Sequence, residues 1–139
     1  MRKAIICSLV VLCSLAALGQ NQPQWKVVQY VSMVNQSNNI PTTTIFVPTA
    51  PGLYRMSAYL SVVRSSDQWE LVVTWTDATT GLNSSSKLKV TPVVRPVGQL
   101  GALIFVPKAG VPVAYSVTEE GDNPPPSIYN FGIVIEQLQ

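Results

Sequence analysis

Between Tyr54 and Val62 the chain alternates without a break. Tyr54, Met56, Ala58, Leu60 and Val62 fall on one side, and Arg55, Ser57, Tyr59 and Ser61 on the other. A period of two is the spacing of an extended strand, and one wholly apolar side marks a strand with a single face on a core. A helix would scatter those five apolar residues around its axis. The lead into this strand, Phe46-Val47-Pro48-Thr49-Ala50-Pro51-Gly52-Leu53, is a short apolar run followed by a Pro/Gly turn. The pattern constrains architecture strongly and names no ligand or reaction.

The same period recurs along the chain. Trp69, Leu71, Val73 and Trp75 alternate with Glu70, Val72, Thr74 and Thr76. Leu88 and Val90 face inward between Lys87, Lys89 and Thr91; Val111, Val113, Tyr115 and Val117 form another face; Tyr129, Phe131, Ile133 and Ile135 form the last. Trp25 to Met33 predicts a first strand with Trp25, Val27, Val31 and Met33 on a common face, and Thr42 to Val47 has the β-branched composition of a second. Leu100 to Val106 is almost continuously apolar, which predicts a strand covered on both sides, with Ala102, Ile104 and Val106 inward. Polar turns at 35–39 and 77–83 separate the runs. Pro41, Pro48, Pro51, Pro96, Pro107 and Pro124-Pro125-Pro126 fall at turns or strand ends, whereas Pro92 and Pro112 predict edge or bulged strands. A short echo, Thr44-Ile45-Phe46-Val47-Pro48 against Leu103-Ile104-Phe105-Val106-Pro107, fits two similar strand–turn–strand units in one Greek key. The expectation from the residues is all-β: about eight short antiparallel strands in one Greek-key sandwich.

The first residues read as an export signal. Met1-Arg2-Lys3 is basic, Ala4 to Leu18 is apolar apart from Ser8 and Ser14, and Ala17-Leu18-Gly19 sets small residues at the cleavage positions. Residues 1–19 are therefore expected to be removed, leaving 20–139 as a single domain, secreted or on the cell surface. The run is shorter than the ~20 residues that span a bilayer. No membrane span is expected after cleavage. Both cysteines, Cys7 and Cys13, leave with the signal, so the exported domain has no disulfide. Loss of Arg2 and Lys3 leaves seven of the nine basic residues against seven acidic ones, a net charge of zero. The remaining positive charge is scattered, unlike a nucleic-acid footprint.

The chain contains no histidine. With the cysteines gone, Ser-His and Cys-His nucleophiles and the usual nitrogen and sulfur metal ligands are excluded, and no cofactor is expected. A carboxylate pair, Asp67 with Glu70 or among Glu119, Glu120 and Asp122, is the remaining catalytic route. Both sets fall in or beside loops, where acids keep a surface soluble. Glu119, Glu120 and Asp122 are also calcium candidates by composition, without EF-hand spacing. Asn35-Gln36-Ser37 and Asn83-Ser84-Ser85 match the glycosylation pattern. Trp69 and Trp75 share a face with Leu71 and Val73 and are assigned to the core; Trp25 is the candidate for a ligand contact.

Pro48-x-x-Pro51-Gly52-x-Tyr54-x-x-Ser57-Ala58-Tyr59 resembles the complement C1q/tumour-necrosis-factor-like jelly rolls, in which a turn leads into a long Gly-x-Tyr strand. Val106-Pro107-Lys108-Ala109-Gly110 and Tyr129-Asn130-Phe131-Gly132-Ile133-Val134-Ile135 match in the same order, so the likeness covers roughly Thr42 to Leu138. Val111 stands after the turn glycine where that family carries an acidic residue. The resemblance implies an all-β antiparallel jelly-roll sandwich of about eight to ten strands that forms a compact trimer and binds other molecules without catalysis. Phasing the strands leaves Tyr59, Val72, Leu103, Phe105 and Val134 on outer faces, and these five are the expected subunit interface. The expected function is an exported, non-catalytic binding or structural domain in a homotrimer, with a protein or glycan ligand. The alternatives are a carbohydrate-binding module or carbohydrate-active enzyme, and a virus- or phage-like particle component.

Overall fold

The computed structural model describes residues 22–64, 68–91, 97–121 and 127–139. The proposed signal, Asp67, Pro92 and Asp122 lie outside them. Eight strands make up the described fold: β1 Trp25–Gln36, β2 Ile40–Phe46, β3 Tyr54–Arg64, β4 Gln68–Thr76, β5 Asn83–Val90, β6 Val97–Phe105, β7 Val113–Glu120 and β8 Ile128–Leu138. They form two four-stranded sheets in the orders β1-β8-β3-β6 and β2-β7-β4-β5. Every pairing is antiparallel. The described residues contain no helix. This is the antiparallel sandwich that the alternation predicts, with the jelly-roll architecture that the resemblance implies.

The core is the set of inward positions read from the period. In the first sheet Met56, Ala58, Leu60 and Val62 of β3 stand opposite Ile135, Ile133, Phe131 and Tyr129 of β8. In the second, Leu71 and Val73 of β4 stand opposite Val117 and Tyr115 of β7. These side chains are buried, together with Trp69 and Trp75. Trp69 packs on Tyr129 at 4.2 Å between ring centroids, and Trp75 on Phe105 at 5.1 Å. The Tyr129 hydroxyl, deep among them, donates to the Asn38 carbonyl at 2.7 Å. The polar end of a buried tyrosine is thereby satisfied, as burial requires.

Two turns close one end of the sandwich. The Asp77 carboxylate accepts from the Thr79 and Thr80 amides, both at 2.9 Å, and Gly81 supplies the positive φ of 71° that the β4–β5 turn needs. The echoed units meet directly: the Gly110 amide donates to the Pro48 carbonyl at 2.8 Å. Pro112 stands just before β7, which is an inner strand; its missing N–H falls outside the ladder.

Two phases differ from the sequence reading. A bulge lies between Val27 and Gln29 of β1. It reverses the strand, so that Val31 and Met33 pack on the core while Trp25 and Val27 face outward. In β6, Leu103 and Phe105 point inward and Ala102 and Ile104 outward, the opposite of the expected phase. Phe105 is 5% exposed and Ile104 56%. β6 is also an edge strand with an open outer face in this chain, not a strand covered on both sides. The error has a simple cause. A continuous apolar run carries no internal phase, and a one-residue slip reverses every side chain.

Candidate interaction surface

The outer face of the first sheet is built as a grid. Reading across β1, β8, β3 and β6, one row is Val27, Glu136, Arg55 and Ile104. The next is Tyr30, Val134, Ser57 and Ala102, and the third is Ser32, Gly132, Tyr59 and Leu100. Leu100, Tyr30, Ile104, Val27 and Tyr59 are all exposed, Leu100 to 81%. A sheet face directed at water is normally polar, and contiguous apolar exposure of this kind marks an interaction site.

The grid contains one pair of charges, and they cancel each other. Arg55 Nε donates to Glu136 Oε2 at 2.7 Å across neighbouring strands. That bond holds the Glu136 carboxyl below its ordinary range and raises Arg55. The guanidinium also lies over the Trp25 ring, 4.8 Å from its centroid. Trp25, the residue singled out for a ligand contact, therefore has Arg55 on its ring. It also borders a shallow groove of about 550 Å³ with Gln22, Gln24 and Gln139.

Tyr59 sits at the centre of the face and lies across Gly132 of β8. A side chain at Gly132 would collide with the tyrosine ring, its Cβ only 2.3 Å from Tyr59 Cε1. The aromatic ring occupies the space that the glycine leaves.

Of the five residues expected at an interface, Tyr59 and Val134 share this surface. Val72 lies on β4 of the other sheet, between the strands that carry Lys87 and Ser116, so it belongs to a different face. Phe105 is core and Leu103 packs against the core; neither is available to a partner, because both point between the sheets. Leu100, Ile104 and Tyr30 take their place, and sequence reasoning missed them. The size of Phe105, the largest side chain in β6, was the signal that could have set the phase.

The acidic candidates are engaged in structural contacts. Glu119 accepts from Ser127 Oγ at 2.5 Å, and its amide donates to Asn39 Oδ1 at 2.8 Å. Glu120 pairs with Lys89 at 3.2 Å and accepts from Gln68. Glu70 is buried on the outer side of β4 beneath Lys87 and Lys89, at 2.9 and 2.8 Å. The two lysines, Lys89 first, hold its carboxyl below the ordinary range against the opposing effect of burial. Among the described residues no three His, Cys, Asp or Glu side chains gather as a metal site, and no helix is long and apolar enough to cross a membrane. Between the sheets, Met56, Ala58, Leu71 and Leu88 help to line a cavity of about 20 Å³, room for a water at most.

No protein-family model matches the sequence, and no curated protein matches it. Solved structures do match in fold. The globular domain of zebrafish complement 1qA protein is similar at a TM-score of 0.52 and 14% identity, over 78% of this chain and 96% of that one. The tumour-necrosis-factor protein Eiger from S. frugiperda follows at 0.48 and 13%, over 84% of this chain and 90% of that one. A Clostridium thermocellum xylanase 10B fragment with CBM22-1 and GH10 modules reaches 0.38 and 12%, over 81% of this chain and 24% of that one, which carries no weight. The fold class is thus the antiparallel jelly roll seen in the complement 1q globular domain. At these identities the likeness establishes the fold alone.

Proposed function

We propose that this chain is an exported, non-catalytic binding or structural domain that works as a homotrimer, assembled through the outer face of the β1-β8-β3-β6 sheet and displayed outside the cell. The observation that carries this reading is the grid of exposed Tyr30, Tyr59, Leu100 and Ile104 around a single, internally neutralised charge pair. Covering that face removes apolar area from water without stranding a charge. A closed symmetric assembly avoids open-ended polymers, and the family resemblance in the sequence implies threefold symmetry. Sedimentation velocity of the exported protein at micromolar concentration is the test. A trimer mass that falls to a monomer mass on Tyr59→Glu supports the reading. A wild-type monomer, or a trimer indifferent to Tyr59→Glu, overturns it.

A further inference from the structure

We propose that Gly132 is an assembly residue: it lets the edge of the Tyr59 ring settle against the β8 backbone, and the ring held there is part of the surface on which a second copy of this chain packs. The proposal rests on the trimer reading above and adds a requirement of its own.

Glycine within a strand weakens it, so a strand glycine calls for a reason. Backbone conformation does not supply one here. Gly81 and Gly110 have positive φ; Gly132 does not. It sits in continuous register, opposite Tyr59 on one side and Ser32 on the other. Space does supply one. A Cβ at Gly132 would stand 2.3 Å from Tyr59 Cε1 and 3.0 Å from both Cδ1 and Cζ. The whole edge of the ring, not its tip, fills the missing side chain's place. Tyr59 is nevertheless 39% exposed. It rests on the glycine and remains open to the outside.

The occupant follows from charge. Ser32, Gly132, Tyr59 and Leu100 form a neutral row, and the neighbouring Arg55–Glu136 pair is satisfied within the chain. A basic or acidic partner gains nothing at such a face. A second copy brings the same neutral surface and no unpaired charge, the property that the core of an interface needs. A methyl group at 132 forces the Tyr59 ring to rotate away from the sheet, and the raised ring holds the partner off.

The test uses the full chain. Gly132→Ala is expected to keep a cooperative melt and a β-sheet circular dichroism spectrum, while association weakens by about 30-fold or more. Tyr59→Ala is expected to weaken association comparably. The double variant Tyr59→Ala/Gly132→Ala is expected to be no weaker than Tyr59→Ala alone, because the glycine acts through the ring. An NMR readout is independent of assembly: the Gly132 α-protons give strong cross-relaxation peaks to the Tyr59 ring-edge protons, and the ring is immobilised relative to a free tyrosine. A Gly132→Ala protein that assembles like wild type, or losses that add in the double variant, overturns the proposal while leaving the trimer intact. Absence of the Gly132–Tyr59 cross-peaks in wild type overturns the ring placement. A monomeric wild type that shows those cross-peaks means that the trimer reading has failed, and the proposal falls with it.

Discussion

Phe105 and Ile104 are neighbours on an edge strand, and the structure assigns them opposite fates. Phe105 is 5% exposed, with its ring 5.1 Å from Trp75 and 6.0 Å from Tyr54. Truncating a core phenylalanine to alanine costs about 3–5 kcal/mol, the spread reflecting how far the site can collapse. The edge position and the small cavity beside Leu103 allow some collapse, so about 3 kcal/mol is the expected loss for Phe105→Ala. Ile104 is 56% exposed, and Ile104→Ala is expected to cost less than about 1 kcal/mol in an isolated copy. Urea denaturation separates them, followed by tryptophan fluorescence at a dilution where association no longer contributes. With a slope near 2 kcal/mol per molar, Phe105→Ala lowers the midpoint by about 1.5 M at unchanged slope, and Ile104→Ala barely moves it. In association the order reverses: Ile104→Ala weakens the assembly, and Phe105→Ala below its unfolding transition does not. A stable but dissociated Phe105→Ala protein, together with an Ile104→Ala protein destabilised by more than about 2 kcal/mol, would mean that β6 has the phase first read from the sequence and that the structural argument is wrong.

Two further outcomes concern polar groups. Tyr129→Phe removes the hydroxyl bond to the Asn38 carbonyl and is expected to cost about 1 kcal/mol in the same denaturation assay. Burial, with a smaller contribution from Tyr115, pushes the Tyr129 phenol from 10.0 up to about 12, so its stabilisation is complete below pH 10 and lost as pH rises toward 12; phenolate absorbance and alkaline melts check both. Glu70 is shifted the other way, below its ordinary 4.5, so its contribution is full above that value and disappears as pH falls through the depressed one. Glu70→Gln is expected to flatten the acid limb of the stability profile, and an acid limb unchanged by that substitution would show that the lysine pairing is energetically silent.

The strands were legible wherever large and polar residues alternate. Tyr54 to Val62 and Trp69 to Trp75 give both their faces unaided, because each inward residue is apolar and most outward ones are not. The same logic placed Trp69 and Trp75 in the core. It failed where the signal is degenerate. Leu100-Gly101-Ala102-Leu103-Ile104-Phe105 offers apolar residues to both faces, and only the partner strand settles which face is which: Met56, inward, stands opposite Leu103. At β1 the alternation was real but interrupted, since a one-residue bulge has no period to announce it. The candidate surface inherits both failures. Tyr59 and Val134 were visible on strands of certain phase, while Leu100 and Ile104 were hidden by the phase of β6, and Val72 was grouped with Tyr59 and Val134 although it belongs to the other sheet. Sequence gives the face of a strand; it does not say which sheet the strand joins.

The four edges of the sandwich give an independent reason to look at β6. Unpaired strand edges invite uncontrolled pairing, and folded proteins usually blunt them. β1 is interrupted by two register shifts, β2 by two more and by Pro41, and β5 carries Lys87 and Lys89. Among the described residues β6 shows none of these devices. It holds unbroken register with β3 from Val97 to Phe105 and contains neither a charge nor a proline. This undefended edge is the one that also presents Leu100 and Ile104 on the apolar face. An edge without such devices beside an exposed apolar face is a combination that favours aggregation. Under the trimer proposed above, a neighbour that covers the face around Tyr59 lies beside the described edge of β6 as well.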